Sequence, residues 1–328
     1  INPELQYEVS TARSSLGLNA NWAIFEYSDL HEFDRINHAY SLDAQTEATE
    51  RLTLGLEAGF RNDETIDVEL EDFARLVQTN ERYVYTVSPS AEFQLTPRNE
   101  VALRYSFQQM EFDDDDLNDD NTLHEISLSW DYLLNERTSL SLTGVGSTHT
   151  FDDQDGDVDH DEIAAFAGIR YFISEILTLN VNAGAGRTRI DDDATGDTDY
   201  VTRYLAKSEL IWEQERWNIL GSYQRDITPD LDGESVTRDR LSALLRYYFS
   251  ERFYGSLGGY YVHTDQNEDD VDSKSDLYRV SPRLGYQLTE RAVLEAAYTY
   301  SRLDEENDDE EDRNQVSLSF NYNFPIEF

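Results

Sequence analysis

VSPSAEFQLTPRNEVALRYSF, residues 87–107, is the stretch on which the fold turns. After Pro97-Arg98, Val101, Leu103, Tyr105 and Phe107 alternate with Ala102, Arg104 and Ser106. A period of two is that of a strand with one apolar and one polar face. The stretch has a near copy in VSPRLGYQLTERAVLEAAYTY, residues 280–300. Its central turn belongs to a series: Glu50-Arg51, Pro97-Arg98, Glu136-Arg137, Ser174-Glu175, Glu215-Arg216, Glu251-Arg252 and Glu290-Arg291. Successive members lie about 36 to 47 residues apart, most near 39, and acidic clusters fall midway between them. The repeating unit is therefore turn, strand, acidic loop, strand, turn.

Other segments alternate in the same way. Ile126, Leu128, Trp130, Tyr132 and Leu134 oppose Ser127, Ser129 and Asp131, and Val316, Leu318, Phe320 and Tyr322 oppose Ser317, Ser319 and Asn321. A propeller blade needs four short strands per repeat, and a helical solenoid needs a period of 3.6; neither pattern is visible. The 328 residues carry 68 Asp and Glu against 26 Lys and Arg, a formal charge of -42. That balance excludes nucleic acid as a partner, because one polyanion repels another. Disorder is excluded by the 21 Tyr and 15 Phe, since a solvated tail does not carry so much aromatic surface. With no Cys there is neither a disulfide nor a thiolate metal site. The chain begins at Ile1 with Met110 as its only methionine, and reads as a processed product. A mean hydropathy of -0.66 looks soluble. Hydropathy averages miss barrels, however, because lipid-facing and lumen-facing residues cancel in any window.

Three features turn the alternating strands into a membrane sheet. Aromatic residues cluster near the turns: Phe93, Trp130, Tyr132, Trp212, Trp217, Phe249, Phe253 and Tyr286. Connections are short on one side and longer and acidic on the other. The chain ends at Phe328 on an alternating segment, which resembles the signal read by the barrel assembly machinery of the outer membrane. The expected fold is all-β: a single antiparallel transmembrane β-barrel over 1–328, with sixteen strands, both termini periplasmic and the loops extracellular. Residues 1–14 are expected as a periplasmic N-terminal segment and 63–82 as the longest extracellular loop. Asn80-Glu81-Arg82 resembles a turn but is placed on the loop side, to keep the strand parity. Closure is expected to pair the first strand with the last.

Function is less legible. By alternation Arg104, Arg170, Arg246, Arg279 and Arg283 face the lumen, with Glu92, Asp131 and Glu295. They would form either a basic ladder for an anionic solute or a structural lattice of ion pairs with carboxylates that include Glu209. Leu70, Phe73, Leu76 and Val77 have helix-like spacing, so 64–80 is expected as a gating helix or as a loop packed on the rim. Asp153, Asp155, Asp157 and Asp159 alternate as hard-cation ligands do, although Val158 stands where a Ca²⁺ loop of the helix-loop-helix type needs Gly. The acidic rim is thus either weakly Ca²⁺-associated, bridging to lipopolysaccharide, or a plain solvated surface. The six His show no catalytic arrangement, and no enzyme and no cofactor beyond such Ca²⁺ are expected.

The hairpins at Leu95–Tyr105, Leu134–Leu142 and Leu288–Tyr300 share a Leu-Thr-x-Arg style of turn followed by alternation. In this they resemble the β-barrel porin family found in exopolysaccharide export and biosynthesis loci of Gram-negative bacteria. The resemblance implies an outer-membrane channel, porin-like or a polysaccharide exit, with polysaccharide-export components as partners and oligomers among its states. It carries over no catalytic residue. The reading of a different class is a structural or adhesive barrel with a plugged lumen.

Overall fold

The computed structural model describes residues 2–25, 35–65, 80–114, 117–152, 156–192, 196–229, 235–267, 272–305 and 311–322. Seventeen strands account for nearly all of them. They are β1 (Glu4–Ser10), β2 (Ser14–Phe25), β3 (Arg35–Glu47), β4 (Leu52–Glu64), β5 (Glu81–Thr96), β6 (Asn99–Phe112), β7 (Asp120–Asn135), β8 (Thr138–Asp152) and β9 (Val158–Ser174). β10 (Leu177–Asp192), β11 (Asp197–Glu213), β12 (Trp217–Pro229), β13 (Ser235–Tyr248), β14 (Phe253–Asn267), β15 (Asp272–Thr289), β16 (Ala292–Glu305) and β17 (Glu311–Tyr322) complete the series. Each strand pairs antiparallel with the next, from β1 to β17.

Most of the short connections share one device. A hydroxyl or amide two residues ahead of the turn's last residue accepts a backbone N–H: Arg51 N to Thr49 Oγ1 (3.2 Å), Arg98 N to Thr96 Oγ1 (3.3 Å), Arg137 N to Asn135 Oδ1 (2.9 Å) and Arg291 N to Thr289 Oγ1 (3.2 Å). Such side chains mimic a backbone turn and so fix the hairpin register. The turns are then tied together, because Arg51, Arg98, Arg137 and Arg252 present their carbonyls to N–H groups of the following hairpin.

The strand count corrects the expected sixteen. Residues 4–10 do not trail as a periplasmic segment; they form β1, hydrogen-bonded along β2 from Glu4 opposite Asn21 to Ser10 opposite Ser15. The turn before β2 is Thr11-Ala12-Arg13, with Arg13 N donating to Thr11 Oγ1 at 3.4 Å, the same device as at most other turns, and Ser14 N donating to it at 3.0 Å. The physical consequence is large. β1 occupies the edge of β2 that closure would use, so β17 does not pair with β2, and among the described residues the sheet is not closed. β1 also runs away from the loop side toward the turn, so the described N-terminus sits partway up the sheet rather than at the turns.

Elsewhere the hairpins fall where the repeat puts them. Glu64 stands opposite Glu81, so Asn80-Glu81-Arg82 is on the loop side and the strands run slightly into the expected 63–82 loop. Leu70, Phe73, Leu76 and Val77 lie outside the described residues, as does Phe328.

One face of the sheet is apolar and exposed. Ile126, Leu128, Leu142, Leu241 and Leu284 keep 52–55 % of their surface open. In water, apolar area left exposed forgoes roughly 25 cal/mol per Å² of burial, so a continuous face of this kind is matched to lipid. The other face is polar. A cleft of about 560 Å³ is lined jointly by Gln94 of β5, Asp131 of β7, Arg170 of β9, Asn180 of β10 and Glu209 of β11, which makes the polar face the concave one.

Two aromatic belts bound the apolar face. Toward the turns, Trp212 meets Trp217 (4.4 Å between ring centroids), Phe249 meets Phe253 (5.0 Å), and Trp130 stacks on Tyr132 (5.9 Å). Toward the loops, tyrosines reach one pleat further along the next strand: Tyr105 to His124, Tyr223 to Asp239, Tyr261 to Asp276, Tyr298 to Asn314 and Tyr300 to Asp312, at 2.5–2.7 Å. An apolar ring with a satisfied polar tip belongs at a membrane interface. From Phe253 to Tyr261 on β14 is about 27 Å of strand, or about 21 Å of thickness at a tilt near 40°.

Candidate functional site

The register places all eight sequence-nominated lumen residues on the concave face. Glu92 stands opposite Ala102, Arg104 opposite Ser90 and Ser127, Asp131 opposite Ser141, and Arg170 opposite Ser139 and Asn180. Across the sheet, Arg246 and Arg283 both face Ser256, Arg279 faces Tyr260, and Glu295 faces Gly285.

Their pairing follows local geometry. Arg104 Nη2 meets Glu57 Oε1 at 2.6 Å, not Glu92 or Asp131. The bridge crosses β5 over Ser88 and Ser90, which are small enough to let the guanidinium pass. Both partners are about half exposed, so the pair contributes little to stability. Arg170 Nε donates to Asn180 Oδ1 (3.0 Å), and Asn180 Nδ2 donates to Glu209 Oε2 (2.9 Å), so arginine and carboxylate are joined through an amide. Gly168 makes room beside this chain. A Cβ there would lie 2.1 Å from Asn182 Oδ1 and 2.3 Å from Ser141 Oγ. Arg279 Nε donates to Ser301 Oγ at 3.3 Å. Arg283 stands 3.9 Å from Glu295, whose carboxylate also takes the Tyr254 hydroxyl and Asn321 Nδ2 (3.3 Å). Arg246 lies over the Tyr254 ring, 5.5 Å from its centroid.

Two features of this face escaped the sequence reading. Asp226 gathers Arg238 (3.1 Å) and Arg240 (3.0 Å) at the loop end of β12 and β13. Arg82, only 1 % exposed, makes a two-pronged contact with Asp63, Nε to Oδ1 at 2.6 Å and Nη2 to Oδ2 at 3.2 Å. The second pair is hidden in the sequence because Arg82 falls in a turn-like tripeptide.

Burial on the concave face is lopsided. Val84, Met110, Phe151, Leu205, Val236, Val262, Leu277 and Leu303 are all buried, and all face inward in the loop-side half. Val262, Leu277 and Leu303 pack together with Tyr260. In the turn-side half, Glu92, Arg104, Asp131, Arg170 and Arg283 are exposed. The concave face is therefore an exposed polar vestibule on the turn side that ends in a shielded layer, where these apolar side chains are interleaved with buried polar ones such as Asp63, Arg82, Arg238, Thr264 and Ser301.

At the level of that layer the outward face carries Thr148 bonded to Asp161 (2.7 Å) and Thr150 bonded to Asp159 (2.6 Å), which puts the level beyond the hydrocarbon. There His149 has its pKa lowered to about 4, by burial first and then by His160; its Nε2 lies 3.1 Å from Asn121 Oδ1. The carboxyl of Asp152 is pushed up, by burial first and then by Asp157, Asp120 and Asp159. Asp153 and Asp155 lie outside the described residues. Among the described residues, no group of three His, Asp or Glu side chains is placed to hold a metal.

Solved structures share this architecture. The alcaligin outer-membrane receptor FauA of Bordetella pertussis is similar over 99 % of this chain and 63 % of its own, with a TM-score of 0.56 and 12 % identity. The FrpB iron transporter of Neisseria meningitidis matches 93 % of this chain and 60 % of its own, at 0.60 and 11 %. FpvA of P. aeruginosa bound to heterologous pyoverdines matches 99 % and 57 %, at 0.61 and 11 %. The fold is that of bacterial outer-membrane β-barrels. With its lipid-matched face and two belts, the chain is an outer-membrane protein. It spans about three fifths of the length of these relatives. No family model and no curated protein matches it, so the resemblance to exopolysaccharide-locus porins is carried by the hairpin motifs alone.

Proposed function

We propose that the chain is an outer-membrane transport barrel whose polar vestibule opens on the turn side and is gated at the shielded layer on the loop side. The observation that carries this reading is the concave face. A purely structural sheet needs no hydrated, charged lining, yet this one carries two clefts, of about 560 and 440 Å³, lined by Arg170, Lys207 and Glu209 and by Asp43, Glu57 and Arg104. A ring of apolar side chains across a pore stops ions by excluding water, and opens when it widens or is made polar. Planar-bilayer recording of the purified protein tests the reading. Brief openings from a quiet baseline are expected, and complete silence under all voltages and ionic strengths would overturn it.

The shielded layer also favours a second reading, in which the lumen stays shut and the barrel serves as a surface scaffold. The two differ in what polar substitutions in that layer do. They raise conductance in a gated barrel and leave a scaffold silent.

A further inference from the structure

The geometry points to an oxyanion-binding site on the concave wall of β13–β15, centred on Ser256 between Arg246 and Arg283, for a small carboxylate- or phosphate-bearing solute. This names the solute class of the proposed transport barrel and rests on that reading for its physiological meaning.

The chain as a whole repels anions, with a formal charge of -42, so a local cationic surplus stands out. On the concave face of β12–β16, Arg238, Arg240, Arg246, Arg279 and Arg283 stand against Asp226, Glu295 and Glu305. Asp226 is committed to Arg238 and Arg240 at the loop end. Glu295 is committed to Tyr254 and Asn321, and reaches Arg283 only at 3.9 Å. The turn-side end of the wall therefore keeps arginine donors to spare. Arg246 supplies the sharpest sign: its Nε is shielded from solvent and has no hydrogen-bond partner. A shielded donor without a partner costs free energy that an incoming acceptor would recover.

The spacing suits one oxyanion. Arg246 and Arg283 both stand opposite Ser256, one on each neighbouring strand, so their backbones are about 10 Å apart and share one stretch of the concave face with the hydroxyl between them. Planar guanidinium forks bind carboxylate and phosphate two-pronged. The site is also held in place. Tyr254 lies under Arg246, and its ring crosses β15 at Gly285, where a Cβ would lie 2.1 Å from Tyr254 Cζ. Only glycine leaves that path open to Glu295. The site lies in the exposed turn-side half, and Arg283 keeps 48 % of its side chain open to the vestibule. A solute would enter from the end away from the acidic loops.

The test is calorimetric titration of the full chain in detergent micelles with citrate and with inorganic phosphate, at low ionic strength, with chloride as the control. Saturable binding of one or both oxyanions is expected. Arg246→Gln and Arg283→Gln should each weaken it by about tenfold or more, while Arg137→Gln at a turn should leave it unchanged. Heat-modifiable migration on a gel reports folding of each variant. Ser256→Glu is the companion variant. It places a carboxylate where the solute's would sit, so it should abolish binding while raising the unfolding temperature. No saturable heat with either oxyanion, binding indifferent to both arginine substitutions, or a Ser256→Glu protein that still binds would each overturn the site. Bilayer recording in parallel separates the two readings. A conducting protein that binds neither oxyanion overturns the site alone, and a silent protein that binds citrate through Arg246 and Arg283 overturns transport alone.

Discussion

Arg82 is where a single residue carries most consequence for the fold. Its guanidinium is 1 % exposed and is held by both oxygens of Asp63, so removing Asp63 strands a buried charge, whereas removing Arg82 leaves Asp63 its bridge to Arg61 at 3.0 Å. Asp63→Ala should cost about 3–5 kcal/mol in urea unfolding from micelles, whereas replacing Asp63 and Arg82 together with apolar side chains of similar size should cost far less. His149 gives a second test at this scale. Its folded pKa, about 4, is depressed below the ordinary 6.5 because burial disfavours the charged ring. The native state therefore resists a proton that the unfolded chain accepts. Stability is unaffected above the ordinary pKa and falls as pH drops from about 6.5 to 4, by about 3 kcal/mol in all. Unfolding measured across that window should lose this slope in His149→Phe; an unchanged slope would show that other groups set it.

At the scale of elements, hairpins and belts report the sheet differently. The turns were legible because a hydroxyl or amide ahead of most of them leaves a repeated mark, as in Thr49-Glu50-Arg51 and Thr289-Glu290-Arg291. The same mark at Thr11-Ala12-Arg13 announces β1 and lies 38 residues before Thr49-Glu50-Arg51, within the repeat; Ala stands there in place of the turn's usual Glu and only the seven residues of β1 precede it, so the turn does not stand out. The loop-side belt was hidden for another reason. Tyr105, Tyr223, Tyr261, Tyr298 and Tyr300 sit mid-strand, and only the register shows each hydroxyl meeting a polar residue one pleat further on. Between the belts the apolar face should tolerate no charge. Leu257 lies midway between Phe253 and Tyr261, so Leu257→Arg should cost about 2–4 kcal/mol. Arg substituted for Thr148, beyond the loop-side belt and beside Asp161, should cost under about 1 kcal/mol. Folding titrations into bilayers of matched thickness would measure both, and equal costs would place the hydrocarbon elsewhere.

The whole molecule joins these parts into a curved sheet with a polar hollow, and its function depends on what happens where the hollow narrows. Alternation was enough to put all eight nominated charges on the concave face, because side-chain direction in a strand is fixed by parity. It could not show which carboxylate each arginine would choose, since Arg104 reaches Glu57 across an intervening strand. Nor could it show that β1 displaces β17 from β2, because a seam depends on pairing rather than on pattern. The shielded layer was equally invisible. Val262, Leu277 and Leu303 fall on the face that alternation labels polar, yet the first two are 0 % exposed and the third 4 %. Apolar residues on a wetted wall have a physical use if water must be excluded there. Val262→Ser combined with Leu277→Ser should therefore raise single-channel conductance severalfold without altering the strand content seen by circular dichroism. The same pair removes two packed side chains, so the unfolding temperature should fall with each substitution costing about 2–4 kcal/mol. A less stable barrel that conducts no better than the parent would mean that the layer packs the lumen without gating it, and would leave the scaffold reading in its place.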